Sequence, residues 1–145
     1  MAAPSLSLGR EAAIGFAINA VLSIAFFLGI FGLAVRPLSW AAPDALAIDF
    51  VPQSIAVALM SALVPALLVR KRLALAVPVR TIILRALGSA LVGAVLGGAL
   101  AALAQARGDA SIAWGAALVL KLLYGGLLGA AITTLVLKKT MRRMA

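Results

Sequence analysis

Apolar residues run through this chain in four long stretches, and polar residues gather at the boundaries between them. The stretches cover about residues 11–35, 52–69, 81–104 and 111–137, and each is long enough to cross a hydrocarbon core of roughly 30 Å as a helix. None of them alternates polar and apolar residues with a period of two, which argues against membrane-spanning β-strands. The pattern therefore predicts an all-α integral membrane protein, with residues 1–145 forming a single transmembrane four-helix bundle.

Prolines and charges mark the ends of these stretches. Pro37 follows Arg36 and pushes it out of helical geometry, so the first helix is expected to end there. Pro52 suits the first turn of the second helix, where its missing N–H costs nothing, and Asp49 lies just ahead, where the helix dipole favours a negative charge. The short connection around Gly108 predicts that the third and fourth helices are antiparallel neighbours.

Basic residues are concentrated on every second boundary. Ten of them precede the first helix, flank the connection between the second and third, or follow the fourth: Arg10, Arg70, Lys71, Arg72, Arg80, Arg85, Lys138, Lys139, Arg142 and Arg143. The alternate boundaries carry Arg36 and Arg107 against the acids Asp44, Asp49 and Asp109. Since cytoplasmic loops carry the excess of Lys and Arg, both termini are expected on the cytoplasmic side. Anionic lipids of that leaflet are the expected partners of the basic clusters.

The composition indicates that lipid is the solvent of this chain. Its 145 residues are 65% hydrophobic and 12% charged, whereas soluble domains average about 45–50% apolar and about 25% charged residues. The net charge of +9 does not indicate nucleic-acid binding, because the basic residues flank apolar stretches without interleaved aromatic residues. The first apolar stretch exceeds the roughly 7–15 residues of a signal-peptide core. A multi-pass protein of a bacterial cytoplasmic (inner) membrane is therefore expected.

Residues for catalysis and metal binding are scarce. The chain has no Cys and no His, so thiolate ligands, imidazole ligands and the commonest proton shuttle are missing. The four carboxylates all lie at predicted helix ends and do not form a cluster. We therefore expect no metal, no cofactor and no enzymatic activity.

Lys121 is the one basic residue that departs from the charge pattern, since it lies about ten residues inside the fourth apolar stretch. At 1.5 Å per residue it is expected about 15 Å below the outer surface, near the bilayer midplane. Charges inside a membrane usually face a bundle interior or a wet cavity, and they mark functional sites. Lys121 is therefore a candidate for binding an anion, a lipid head group or another polar solute.

A structural role for Lys121 is the alternative. Pro65 lacks an N–H, so the carbonyl of Ser61 loses its helical donor, and Ser61 is expected at about the depth of Lys121. An ammonium that donates to Ser61 would satisfy both groups. We therefore predict that the second and fourth helices meet at these two residues. No buried ion pair between Lys121 and a carboxylate of the same chain is expected, because no carboxylate is predicted at this depth.

Small and polar residues recur every four positions in the first helix, at Gly15, Asn19 and Ser23. Such a stripe serves either interhelical hydrogen bonding or contact with a solute. In the fourth helix, Tyr124 shares the face of Lys121. The full set of candidate solute- or lipid-binding residues is Lys121, Ser61, Asn19, Ser23 and Tyr124.

Glycines four residues apart predict close packing of helices. Gly93 and Gly97 form a G-x-x-x-G pattern in the third helix, and Gly125 and Gly129 repeat the spacing in the fourth. The missing side chain lets another backbone approach these positions. The pair in the third helix serves either packing within the chain or association with a second copy.

Three classes of function compete. A permease- or channel-like transport protein is favoured by Lys121, the polar stripe and the kink at Pro65. Four helices enclose little space, so a solute path is expected between the subunits of an oligomer. A non-catalytic accessory or assembly subunit of a larger membrane complex is the alternative, favoured by the small size and the glycine faces. A membrane enzyme is disfavoured, because these residues assemble no acid–base pair or metal site.

Overall fold

The computed structural model of the protein describes residues 7–72, 74 and 76–142, so Arg143 of the basic C-terminal cluster lies outside the described residues. These residues form four helices: α1 (Leu8–Phe31), α2 (Phe50–Arg72), α3 (Val79–Gln105) and α4 (Trp114–Met141). Each helix is long and apolar enough to cross a membrane. The predicted all-helical fold with four potential membrane spans is confirmed, and it is that of a multi-pass membrane protein.

A short antiparallel ribbon joins two connections at one end of the bundle. Strand β1 (Leu38–Ser39) lies between α1 and α2, and strand β2 (Ser111–Ile112) lies between α3 and α4. Leu38 pairs with Ile112, and Ser39 pairs with Ser111. We call this the ribbon end of the bundle. The opposite end, where α1 begins and α4 finishes, is the terminal end.

Helix α1 begins and ends earlier than the sequence predicts. Its cap is Ser7, whose hydroxyl oxygen accepts a hydrogen bond from the N–H of Arg10. The helix finishes at Phe31 rather than at residue 35, because Gly32 adopts a φ of 72°. A positive φ breaks the helix and is readily adopted by glycine.

Helix α4 begins later than the sequence predicts. Ser111 and Ile112 are paired with β1, so the helix starts at Trp114 and not at residue 111. The indole N–H of Trp114 donates to the carbonyl of Gly32 at 3.2 Å, and its ring meets the edge of Phe27 with 5.5 Å between the ring centres. These contacts tie the start of α4 to the end of α1.

The four helices do not form a closed square. Helix α3 packs on α2, α2 packs on α4, and α4 packs on α1, while α1 meets α2 over a small area. The prediction that the third and fourth helices are neighbours is wrong, since α3 makes little contact with α4. The connection of residues 106–113 enters the ribbon, which carries the chain to the other side of α2.

Two glycines let the backbone of α3 approach that of α2. A Cβ atom at Gly93 would lie 2.5 Å from the carbonyl oxygen of Ser54, and one at Gly97 would lie 2.6 Å from the carbonyl oxygen of Phe50. Side chains at these positions would push the two helices apart. The G-x-x-x-G pair is therefore used for packing within the chain and is covered by α2.

Gly93→Ala is expected to destabilise the protein, because its methyl group overpacks the contact with α2 at a cost of roughly 1–3 kcal/mol. Gly98, on the same helix, has no atom within 4 Å of an added Cβ. Gly98→Ala is therefore the matched control, and it is expected to gain about 0.5–1 kcal/mol of helix stability. Equilibrium denaturation in detergent measures both free energies of unfolding. If the two substitutions changed the free energy of unfolding by the same amount and in the same direction, the close packing of Gly93 on α2 would be contradicted.

Candidate functional site

Buried positions recur every four residues along the facing surfaces of α1 and α4. They include Ala117, Lys121, Gly125, Gly129, Thr133 and Leu137 in α4, and Gly15, Asn19, Ser23, Phe27 and Phe31 in α1. Three pairs meet across this interface: Ser23 with Gly125, Asn19 with Gly129, and Thr133 with Gly15. Each polar side chain therefore fills the space that a glycine leaves on the opposite helix.

Lys121 is buried, with 1% of its side chain exposed, and a carboxylate lies beside it. Its Nζ is 2.9 Å from Oδ2 of Asp49, the residue just before α2, and 3.7 Å from the centre of the Phe50 ring. The distance is that of an ion pair, although the angles fall outside those of a regular hydrogen bond. The expectation that the chain forms no ion pair at this lysine is wrong.

The ion pair forms because Lys121 lies nearer the ribbon end than the sequence suggests. Since α4 starts at Trp114, Lys121 lies about 10 Å along a helix of about 42 Å. Helical side chains lean towards the N-terminus of their helix, and the N-terminus of α4 is at the ribbon end. The ammonium therefore extends away from the middle of the bundle and towards Asp49.

Ser61 contacts other partners than Lys121. Its hydroxyl oxygen accepts a hydrogen bond from Nδ2 of Asn19 at 2.9 Å, and its carbonyl oxygen accepts one from the hydroxyl of Thr133 at 3.4 Å. The carbonyl that Pro65 frees thus has a donor on α4, about three turns away from Lys121. Helices α2 and α4 do meet at Ser61, but the predicted contact between Ser61 and Lys121 is wrong.

Gln53 connects the ion pair to α1. Its Nε2 donates to the hydroxyl oxygen of Ser23 at 3.0 Å and to the backbone carbonyl of Lys121 at 2.9 Å, and only 5% of the residue is exposed. One amide group thereby joins α1, α2 and α4. The resulting set, which we call the polar row, runs from the ribbon end towards the terminal end: Asp49, Lys121, Gln53, Ser23, Asn19, Ser61 and Thr133.

Three atoms of the polar row have no hydrogen-bond partner among the described residues: Nζ of Lys121, Oε1 of Gln53 and Oδ1 of Asn19. All three residues are buried. An unpartnered buried polar group costs roughly 1–3 kcal/mol, and lipid offers it no hydrogen bond. Since the ammonium of Lys121 is paired with Asp49, the row presents two acceptors that a polar solute or water can bind, the amide oxygens of Gln53 and Asn19.

Tyr124 supports the site from beside the row. Its hydroxyl is hydrogen-bonded to that of Ser54, and its ring meets the edge of Phe50 with 5.1 Å between the ring centres. Phe50 in turn lies over the ammonium of Lys121. Tyr124 therefore helps to fix the aromatic ring that covers the ion pair.

The polar row borders a cleft between α1 and α2, although the two members that line it are themselves buried. A cleft of about 190 Å³ lies where these helices make little contact, and it is lined by Ser23 and Gln53 together with apolar side chains. Two members of the row are therefore adjacent to a space that leads out of the bundle.

The connection before α2 holds Asp49 in place. Asp44 forms an ion pair with Arg36 and accepts a hydrogen bond from the backbone N–H of Ser39 at 2.9 Å. The N–H of Leu46, a fully buried residue, donates to the carbonyl of Ser39 at 3.2 Å. The segment that leads to Asp49 is therefore anchored to the ribbon.

Sequence reasoning assigns Asp49 to the helix dipole and favours helix-end hydrogen bonding over solute binding for Gln53, so neither is among the candidate site residues. The signal that finds them is their spacing, because Gln53 and Ser61 lie eight residues apart on one side of α2, and Asp49 lies four residues before Gln53, just ahead of the helix. The same interval occurs in the buried stripes of α1 and α4. Polar residues at this interval in three helices indicate a shared polar interface.

The described residues contain no group of three or more His, Cys, Asp or Glu that could hold a metal ion. Comparison with known proteins gives no match: no protein family, no curated protein and no solved structure is significantly similar to this chain. The contacts of the polar row are therefore the main indication of function.

Asp44→Asn is expected to loosen the connection that holds Asp49. The hydrogen bond from Arg36, followed by that from Ser39, lowers the pKa of Asp44 from 3.8 to about 2. Because the folded-state pKa is lowered, the stabilisation is present above pH 3.8 and is lost as the pH falls towards 2. Thermal unfolding in detergent should show a lower Tm for the variant at pH 7 and no difference near pH 2. An equal loss at both pH values would contradict this role of the carboxylate.

Proposed function

We propose that this protein is a small permease- or channel-like transport protein of a bacterial inner membrane and that it acts as an oligomer. The observation that carries the proposal is the buried ion pair between Asp49 and Lys121, at the head of a row in which two buried amide oxygens have no hydrogen-bond donor among the described residues. Ionisable groups inside a membrane bundle are costly and mark substrate or ion paths.

The length of the polar row supports a path through the membrane. From Asp49 to Ser61 it follows α2 for about 18 Å, compared with a hydrocarbon core of roughly 30 Å. Hydrogen-bonding groups of Gln53, Ser23 and Asn19 lie between these two residues. A polar solute that moves along the row meets a new partner at each step.

The ion pair supports a small charged or zwitterionic solute as the substrate class. An ammonium has three N–H donors, and Asp49 is the only carboxylate beside Lys121 among the described residues. A solute carboxylate or phosphate competes with Asp49 for this ammonium, and a solute cation competes with Lys121 for the carboxylate. Either exchange opens the ion pair and couples solute binding to the contact between α2 and α4.

The distribution of charge supports an orientation in which the terminal end of the bundle faces the cytoplasm. The last turns of α2 and α4 carry Arg70, Lys71, Arg72, Lys138 and Lys139, which suit the anionic lipids of the cytoplasmic leaflet. At the ribbon end, by contrast, the charge of Arg36 is paired with that of Asp44. Both termini are inside in this arrangement.

The exposed surfaces support assembly into an oligomer. A second copy packed over the cleft between α1 and α2 would cover Ser23 and Gln53, the two members of the polar row that line it. Helix α3 presents Leu91 and Val95, which are 71% and 74% exposed, as a face for lipid or for a second copy.

Cysteine accessibility tests the path directly, because the chain has no native Cys. Ser61→Cys replaces one oxygen deep in the row. Leu123→Cys on α4 is the control, since Leu123 is 46% exposed at the bundle surface and faces lipid in this proposal. A charged, membrane-impermeant methanethiosulfonate added to vesicles is expected to modify the Ser61→Cys variant and to spare the Leu123→Cys variant. Mass spectrometry measures the modified fraction.

If the thiol of Ser61→Cys stayed unmodified with the reagent applied to either side of the membrane, the proposed solute path along the polar row would be contradicted. That result would favour the alternative, a non-catalytic accessory subunit, which the exposed apolar face of α3 also supports. Native mass spectrometry of the gently purified complex separates the two functions further. A different membrane subunit in fixed proportion supports the accessory function, and a pure homo-oligomer supports transport.

A further inference from the structure

A larger cleft lies at the ribbon end, outside the polar row. This ribbon-end cleft has a volume of about 500 Å³, within the range of small-molecule sites. Leu100 and Leu103 of α3 line it, as do Trp40 and Ile112 from the two connections that form the ribbon. Since the apolar helix α3 ends at Gln105, the cleft lies at the level of a membrane–water interface.

Arg107 gives this apolar cleft a positive charge. It lines the cleft, and its guanidinium forms no ion pair with any described residue, whereas Arg36 at the same end is paired with Asp44. Arginine presents donors in a planar fork that fits phosphate oxygens. The hydroxyl-bearing Ser111 also lines the cleft. The site therefore offers donors for an anion beside apolar walls.

The apolar wall continues along α3 away from Arg107. Leu96, Leu100 and Leu103 precede Arg107 by eleven, seven and four residues, which places them on one face of the helix. Leu103 is 69% exposed and Leu96 is 39% exposed. An apolar chain attached to an anionic group at Arg107 can therefore lie along the helix, in the direction that acyl chains take in a bilayer.

We propose that the ribbon-end cleft binds an anionic phospholipid, with its phosphate at Arg107 and an acyl chain along Leu103 and Leu100. A free phosphate ion would contact the guanidinium but leave the apolar walls and Trp40 unoccupied. An amphiphile matches both parts of the lining. The cleft also touches Phe50, the ring that covers the ammonium of Lys121, but it contains no member of the polar row, and lipid binding there does not require the proposed transport function.

Trp40 is a reporter for this site because it lines the cleft. The other tryptophan, Trp114, packs against Phe27, and Trp114→Phe removes its fluorescence. The Trp114→Phe protein is reconstituted into phosphatidylcholine vesicles with increasing fractions of phosphatidylglycerol that carries brominated acyl chains. Brominated phosphatidylcholine is used in parallel, since bromine quenches indole fluorescence at short range.

Brominated phosphatidylglycerol is expected to quench Trp40 at an about fivefold lower mole fraction than brominated phosphatidylcholine, as the attraction of one basic side chain for an anionic head group predicts. Arg107→Gln should abolish this preference, while Arg107→Lys should keep most of it. Arg80→Gln, at the terminal end, should leave it unchanged. Equal quenching by the two lipids with Arg107 present, or a preference that survives Arg107→Gln, would overturn the proposal.

Two controls keep the test decisive. Relief of the quenching by inorganic phosphate would identify a site for a soluble anion and would also overturn the proposal. Trp114 donates a hydrogen bond to Gly32, so Trp114→Phe can impair folding. In that case the signal of Trp40 is obtained as the difference between the wild-type protein and Trp40→Phe, with the same expected preference between the lipids.

Discussion

The charge of Lys121 has to be balanced inside the bundle, and much of the structure is arranged around this requirement. Removing the partner of a buried charge costs roughly 3–5 kcal/mol, so α4 and the start of α2 are held where Lys121 reaches Asp49. The connection that carries Asp49 is in turn anchored by the ion pair between Arg36 and Asp44. Gln53 then binds the backbone of the same lysine and joins α1 to the pair.

The helices contribute to this arrangement in different ways. Helices α1, α2 and α4 share the polar row, and Gly125 and Gly129 make room for its larger side chains. Helix α3 covers one side of α2 through Gly93 and Gly97. Buried ion pairs add little net stability, because desolvation offsets their attraction. The proposed function therefore assigns the ion pair a use in binding beyond its contribution to folding.

Local properties of the sequence are sufficient to predict the four helices, because the length and hydropathy of each apolar stretch indicate a helix that spans a membrane. Contacts between helices are not local: the short connection at Gly108 suggested that α3 lies beside α4, but β2 carries the chain past α2. Hydropathy does not show that Ser111 pairs with β1, so the apolar stretch places Lys121 three residues too far along the fourth helix. At that depth the ammonium is out of reach of Asp49, whereas in the structure the two groups are in contact. The spacing of Asn19 and its neighbours indicates an interior face but does not name the residues opposite.

The most direct test of the account is a double-mutant cycle at the ion pair. The free energy of unfolding is measured for the wild type, Asp49→Asn, Lys121→Met and the double variant in the same detergent. Each single variant leaves one buried group unpaired, so each is expected to lose roughly 3–5 kcal/mol, while the double variant loses clearly less than the sum. If the losses in free energy of unfolding were additive, or if the single variants were as stable as the wild type, Asp49 and Lys121 would not form a pair, and the ion pair could not organise the bundle.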